Sequence, residues 1–124
     1  SIIMVIDPDE LMKIIQQIRT DRDDWKLKKR FITFNETDFV NYVQKEYESF
    51  VKKAPGLFEK ITKGDLDDPV EMGRLMHMVD RMRAIKKQET TLEDESKVMG
   101  QTYADEFVKP LVDKLDKEKE EEEQ

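Results

Sequence analysis

Apolar residues recur at helical spacing over most of this chain. The first six residues, "SIIMVI", are apolar and β-prone and read as a short strand or an arm lying on a neighbour. Asp7-Pro8-Asp9-Glu10 then set a helix start, with Asp7 as N-cap, Pro8 in the first turn and Glu10 three residues after the cap. Leu11, Ile14, Ile15, Ile18 and Trp25 share one face, interrupted only by Arg22. They predict a helix from position 8 to 20 that can extend to Lys28. "FITF" at 31–34 is β-prone and can pair with the N-terminal run. Asn35 or Thr37 caps a second helix, along which Phe39, Val43, Tyr47 and Phe50 step at helical intervals. "APG" at 54–56 stops it.

Leu57, Phe58 and Ile61 form the buried side of one or two turns that end at Gly64. Met72, Leu75, Met76, Val79 and Met82 make a stripe on the next helix, which ends near Lys87. Thr90 or Thr91 caps the last long helix, with Glu93 or Asp94 as reciprocal partner. Its inner face is Leu92, Ser96, Met99, Tyr103 and Phe107. Pro110 removes a backbone donor and interrupts that helix. Val108, Leu111, Val112 and Leu115 lie on a face rotated by about 100° from the earlier one, so the segment after Pro110 is expected to pack on a different surface. The expected architecture is all-α: a compact bundle of four to five short helices, with an N-terminal strand or arm and a charged C-terminal tail. Residues 1–112 are read as one helical domain and 113–124 as an acidic tail.

Composition adds constraints. The 124 residues contain no cysteine, which excludes a disulfide framework, a zinc–thiolate site and a thiol nucleophile. No apolar run approaches the roughly 18 residues of a membrane span, and "SIIMVI" is too short for a signal-peptide core. Ser1 is the residue that removal of an initiator methionine would leave. These readings lead to an expected soluble, cytosolically made protein. The net charge of −7 is unevenly placed: residues 111–124 carry 3 basic and 7 acidic side chains, and the body is nearly balanced. A balanced body argues against nucleic acid as a partner.

Candidate chemistry is sparse. "KGDLDDPVE" at 63–71 spaces Asp65 and Asp67 like the first two ligands of a calcium loop. Pro69, Val70 and Met76 then stand at the fifth, sixth and twelfth loop positions, where that pattern needs other residues. Helix punctuation accounts for the stretch better: Gly64 ends one helix, Asp68 caps the next, Pro69 opens it and Glu71 completes the box. His77 is the one histidine and falls opposite the methionine stripe, as a surface residue. No nucleophile motif, phosphate loop or dinucleotide fingerprint is present, so neither an enzyme nor a cofactor or metal site is expected. "KLKKR" at 26–30 is the one basic cluster, with Asp21, Asp23 and Asp24 beside it to cancel much of its field. Met78 and Ile85 fall off the stripe. With Ile2, Ile3, Val5, Val108, Leu111, Val112 and Leu115 they form the candidate partner interface.

Three pieces follow one another between Phe50 and Pro110: "FVKKAPGLFEKIT", "DLDDPVEMGRLMHMVDRM" and "ESKVMGQTYADEFVKP". Their order resembles a small helical module of large DNA viruses, including those of algae. The resemblance covers about half the chain and consists of helix punctuation and core positions, so it carries no catalytic or binding residue across. It implies a non-enzymatic minor capsid protein of the virion, held beneath or between the main capsomers by capsid proteins or by copies of itself. The alternative is a soluble helical adaptor, cytoplasmic, that binds one protein partner.

Overall fold

The computed structural model describes residues 3–114. The described residues are mainly helical. Seven α-helices run in order: α1 (Pro8–Lys26), α2 (Glu36–Glu46), α3 (Glu48–Lys53), α4 (Pro55–Thr62), α5 (Pro69–Lys86), α6 (Leu92–Met99) and α7 (Gln101–Tyr103). The expected four to five become seven because two helices are broken. The second breaks at Tyr47, whose ψ of 39° leaves the helical well. The last breaks at Gly100, at φ 93° and ψ 135°. Two short strands, β1 (Ile3–Val5) and β2 (Val112–Lys114), pair antiparallel, with Val5 opposite Val112. The chain divides into two compact units, Asp9–Met72 and Ser1–Pro8 with Gly73–Gln124.

In the unit of residues 9–72, Leu11, Ile15 and Ile18 of α1 are fully buried, as are Phe39 and Val43 of α2. Asn35 is the cap of α2. Its side chain accepts from the Asp38 N–H at 2.8 Å, and Asp38 accepts from the Asn35 N–H at 3.1 Å. α4 starts directly at Pro55, so "APG" ends one helix and opens the next. "FITF" is no strand. The Phe34 N–H folds back to the Phe31 carbonyl at 3.0 Å, and Phe31 sits at φ 55°, outside the strand region. β1 therefore pairs with β2 and not with residues 31–34.

Residues 63–71 behave as punctuation. Gly64 takes φ 82° after α4, and a Cβ there would lie well inside contact with the Arg22 guanidinium. Arg22 pairs with Asp67 at 2.9 Å across that glycine. Asp68 accepts from the Val70 N–H at 2.9 Å and so caps α5. Its own N–H goes to the Asp65 carbonyl at 3.3 Å, and Glu71 takes Lys60 at 2.7 Å, where a reciprocal box had been expected.

In the unit of residues 1–8 and 73–124, the buried stripe of α5 is Leu75, Met78, Val79, Met82 and Ile85. Met78 and Ile85 are core, and Met76 is the outsider at 52% exposed. At about 100° per residue those five positions span an arc of roughly 120°, and Met76 falls beyond its edge. Thr91 caps α6 by accepting from the Asp94 N–H at 3.1 Å. Ahead of Pro110 the helix widens into a π-turn over Ala104–Val108, and the Lys109 N–H reaches the Ala104 carbonyl. The wide turn carries the apolar face round, so that Tyr103, Phe107, Val108 and Leu111 are all buried.

α5 ends in a Schellman pattern without glycine. The Gln88 N–H bonds to Ile85 O and the Glu89 N–H to Ala84 O, both at 3.0 Å, with Gln88 at φ 63°. A left-handed non-glycine residue costs about 1–2 kcal/mol, partly offset by the entropy that glycine adds to the unfolded chain. Gln88→Gly should therefore stabilise the protein by about 0.5 kcal/mol. Gly64→Ala should destabilise it by more than about 1 kcal/mol, because strain and displacement of Arg22 add. Urea denaturation of the two variants checks both signs.

Candidate functional site

The most organised surface among the described residues lies where α1 ends and turns toward α2. Asp21 starts it. Position 21 follows Ile18 by three residues on the buried face of α1, so a carboxylate occupies a core position and is only 7% exposed. A buried charge needs partners. Arg30 Nη1 donates to Asp21 Oδ1 at 3.0 Å, and the Tyr47 hydroxyl donates to Oδ2 at 3.2 Å. Arg30 also lies 3.6 Å from Asp24 and 4.6 Å from the Phe31 ring centroid.

Those contacts tie the loop back onto α1, and hydrogen bonds complete the tie. The Lys28 N–H bonds to Trp25 O at 3.1 Å and the Lys29 N–H to Asp24 O at 2.8 Å, a Schellman ending with Lys28 left-handed at φ 58°. Beneath the loop, Trp25 stacks on Phe39 with centroids 4.8 Å apart and an interplanar angle of 2°. The Trp25 Nε1–H donates to Phe34 O at 2.9 Å. Phe31 packs against Phe34 at 5.2 Å and Tyr42 at 4.7 Å. Such ring pairs add about 0.5–1.5 kcal/mol each beyond area burial. What this base presents outward is Leu27 at 64% and Ile32 at 70% exposed, flanked by exposed Lys26, Lys28 and Lys29.

Beside the loop lies an open cleft of about 660 Å³, lined by Lys13, Thr20, Asp21, Arg30, Tyr42 and Tyr47 among others. Burial first, and Asp21 second, push the Tyr47 hydroxyl up from 10.0 to about 12. Burial also raises Tyr42, with Asp21 and Glu46 adding to it. Both are neutral phenols at neutral pH, able to donate hydrogen bonds and poorly suited to act as nucleophiles.

The other unit repeats the motif of a carboxylate at a core position. Glu95 is 5% exposed and receives two bonds from Arg81, Nε to Oε2 at 2.9 Å and Nη2 to Oε1 at 2.7 Å. Those bonds hold its carboxyl below the ordinary range against the opposing effect of burial. Among the described residues no group of three or more His, Cys, Asp or Glu side chains is arranged to hold a metal ion. No helix of the described residues is long and apolar enough to cross a membrane.

The structure separates the residues named from sequence as a partner interface. Val5, Met78, Ile85, Val108 and Leu111 are interior, covered by this chain's own packing. Val112 is half-buried in β2, and Ile3 stands in the β1 ladder. Ile2 and Leu115 lie outside the described residues. His77 is exposed. Of the basic cluster, Asp21 and Asp24 engage Arg30, while Lys28 and Lys29 form no ion pair among the described residues. Leu27, Ile32, Tyr42 and Tyr47 were not singled out as surface features. The signal that leads to them is the carboxylate at position 21, beside Arg22, on the apolar face of α1. No family model, curated protein or solved structure matches the chain.

Tyr47 gives a pH signature. Its folded value lies above the unfolded one, so its contribution to stability is fully present below about pH 10 and is lost as pH rises through about 12. Tyr47→Phe should remove that part of the alkaline loss. Urea midpoints of wild type and variant should converge between about pH 9 and about pH 11. Parallel pH dependence in the two proteins would contradict it.

Proposed function

We propose that the chain is a non-enzymatic assembly module that works by contact with protein partners. One observation carries this reading: the two buried carboxylates among the described residues are consumed in holding the fold. Asp21 is bound by Arg30 and Tyr47, and Glu95 by Arg81. A general acid or base needs a carboxyl or imidazole free to meet a substrate proton, and an ion-paired structural carboxylate is not one. The α1–α2 loop, packed on stacked rings, instead displays aliphatic and cationic side chains. Exposed aliphatic side chains grouped with cations on one loop support a contact role, toward an acidic partner.

The order of helical pieces between Phe50 and Pro110, with its resemblance to a module of large DNA viruses, supports a particular setting: a minor capsid protein of the virion, bound to coat proteins or to further copies of itself. A soluble adaptor that takes one protein partner through the same loop is the second reading, and the exposure of Leu27 and Ile32 supports it equally. Mass spectrometry of purified virus particles separates the two. The capsid reading predicts the chain at a fixed ratio to the main coat protein. Its absence from clean particles would overturn that reading and leave the adaptor.

A further inference from the structure

Resting on the assembly reading, we propose that residues 26–33 of one copy dock the acidic stretch 116–124 of a second copy. The loop supplies the cationic half. Lys28 and Lys29 are exposed and without an ion pair among the described residues, and Lys26 lies over the Trp25 ring at 4.7 Å. Arg30 is already held by Asp21 at 3.0 Å and by Asp24 at 3.6 Å, so it fixes the loop and leaves recognition to the lysines.

The backbone is fixed as well. Lys28 and Phe31 stand at φ 58° and 55°, left-handed positions that the surrounding hydrogen bonds and rings over-determine. A surface ordered before binding loses little freedom on binding. Leu27 and Ile32 border the lysines, so the occupant must bring carboxylates on stems that can lie along aliphatic surface.

The chain itself contains such an occupant. Residues 111–124 hold 3 basic and 7 acidic side chains, with four consecutive glutamates at 120–123, and the rest of the chain is close to charge balance. Glutamate has the two-methylene stem the loop requires, and Leu115 precedes the stretch with one aliphatic side chain. A phosphate backbone fits less well. The rings on which bases would stack, Phe31, Phe34 and Tyr42, already pack on one another, and Asp23 and Glu36 stand exposed on either side of the loop. Because the loop and the acidic stretch are different surfaces, each copy has one of each. The contact is heterologous and extends into a ring or an open array, as an assembly module requires.

Sedimentation velocity on the full chain tests this with two variants. One, Lys28→Gly with Lys29→Ser, removes the cations, and its glycine suits the left-handed position, so folding is retained. The other, Glu120→Gln, Glu121→Gln, Glu122→Gln and Glu123→Gln, neutralises the acidic stretch. Wild type should associate progressively with concentration at low ionic strength and weaken as salt rises. Each variant alone should stay monomeric. Their equimolar mixture should form a 1:1 dimer and nothing larger, because one intact loop meets one intact acidic stretch. A mixture that stays monomeric while wild type associates would overturn the contact. A wild type that never associates would overturn it too, including the case in which loop and stretch meet within one chain. Finding the chain in particles while it remains monomeric in solution would keep the assembly reading and remove only this contact.

Discussion

The carboxylate of Asp21 sits where an aliphatic side chain would ordinarily go, on the buried face of α1, and the surroundings of the α1–α2 loop are arranged to satisfy it. Arg30 folds back to reach it and Tyr47 donates to it from the end of α2, where the helix is broken. The turn that returns Arg30 forces Lys28 and Phe31 into left-handed backbone. The strain is tolerated because Trp25, Phe31, Phe34 and Phe39 pack beneath. One polar residue in a core position thus dictates a loop, its rigidity and the side chains that the loop displays.

In both ion pairs the carboxylate is buried and the arginine partly exposed, and desolvation of the carboxylate offsets much of the attraction. What such a pair does well is exclude other geometries, because a buried charge left alone is costly. Glu95 with Arg81 works in the same way in the other unit, fixing α6 against α5 through two parallel bonds. The commitment of both carboxylates to geometry is the observation on which the proposed contact role rests.

Much of the fold was legible because caps and stripes are local. Asn35, Asp68 and Thr91 cap the helices whose starts their positions announce. The breaks were not legible. Tyr47 is no helix breaker by type, but its hydroxyl has a distant acceptor, and tertiary context overrides the helical period there. "FITF" has strand composition, yet its rings find more partners in a turn. Met76 and Met78 exchanged roles because a stripe traced at steps of three and four can lean either way around the helix, and only the full arc from Leu75 to Ile85 selects one. Val5, Met78, Ile85, Val108 and Leu111 of the candidate interface are interior for a related reason: an apolar face that one helix leaves over was read as surplus, where a π-turn and a short strand pair lie against it. The surface that remains was hidden in "KLKKR", where Asp21, Asp23 and Asp24 were read as cancelling much of the field, whereas the structure pairs Asp21 and Asp24 with Arg30 and leaves Lys28 and Lys29 exposed.

Amide hydrogen exchange tests most directly the claim that Asp21 holds the loop in one conformation. The N–H groups of Lys28, Lys29 and Phe34 donate to Trp25, Asp24 and Phe31 carbonyls, so they should exchange slowly in the wild-type protein despite lying in a surface loop. Asp21→Asn should speed those three selectively and leave the amides of α5 unchanged. Rapid exchange of all three in the wild type, or no selective change in Asp21→Asn, would contradict the account.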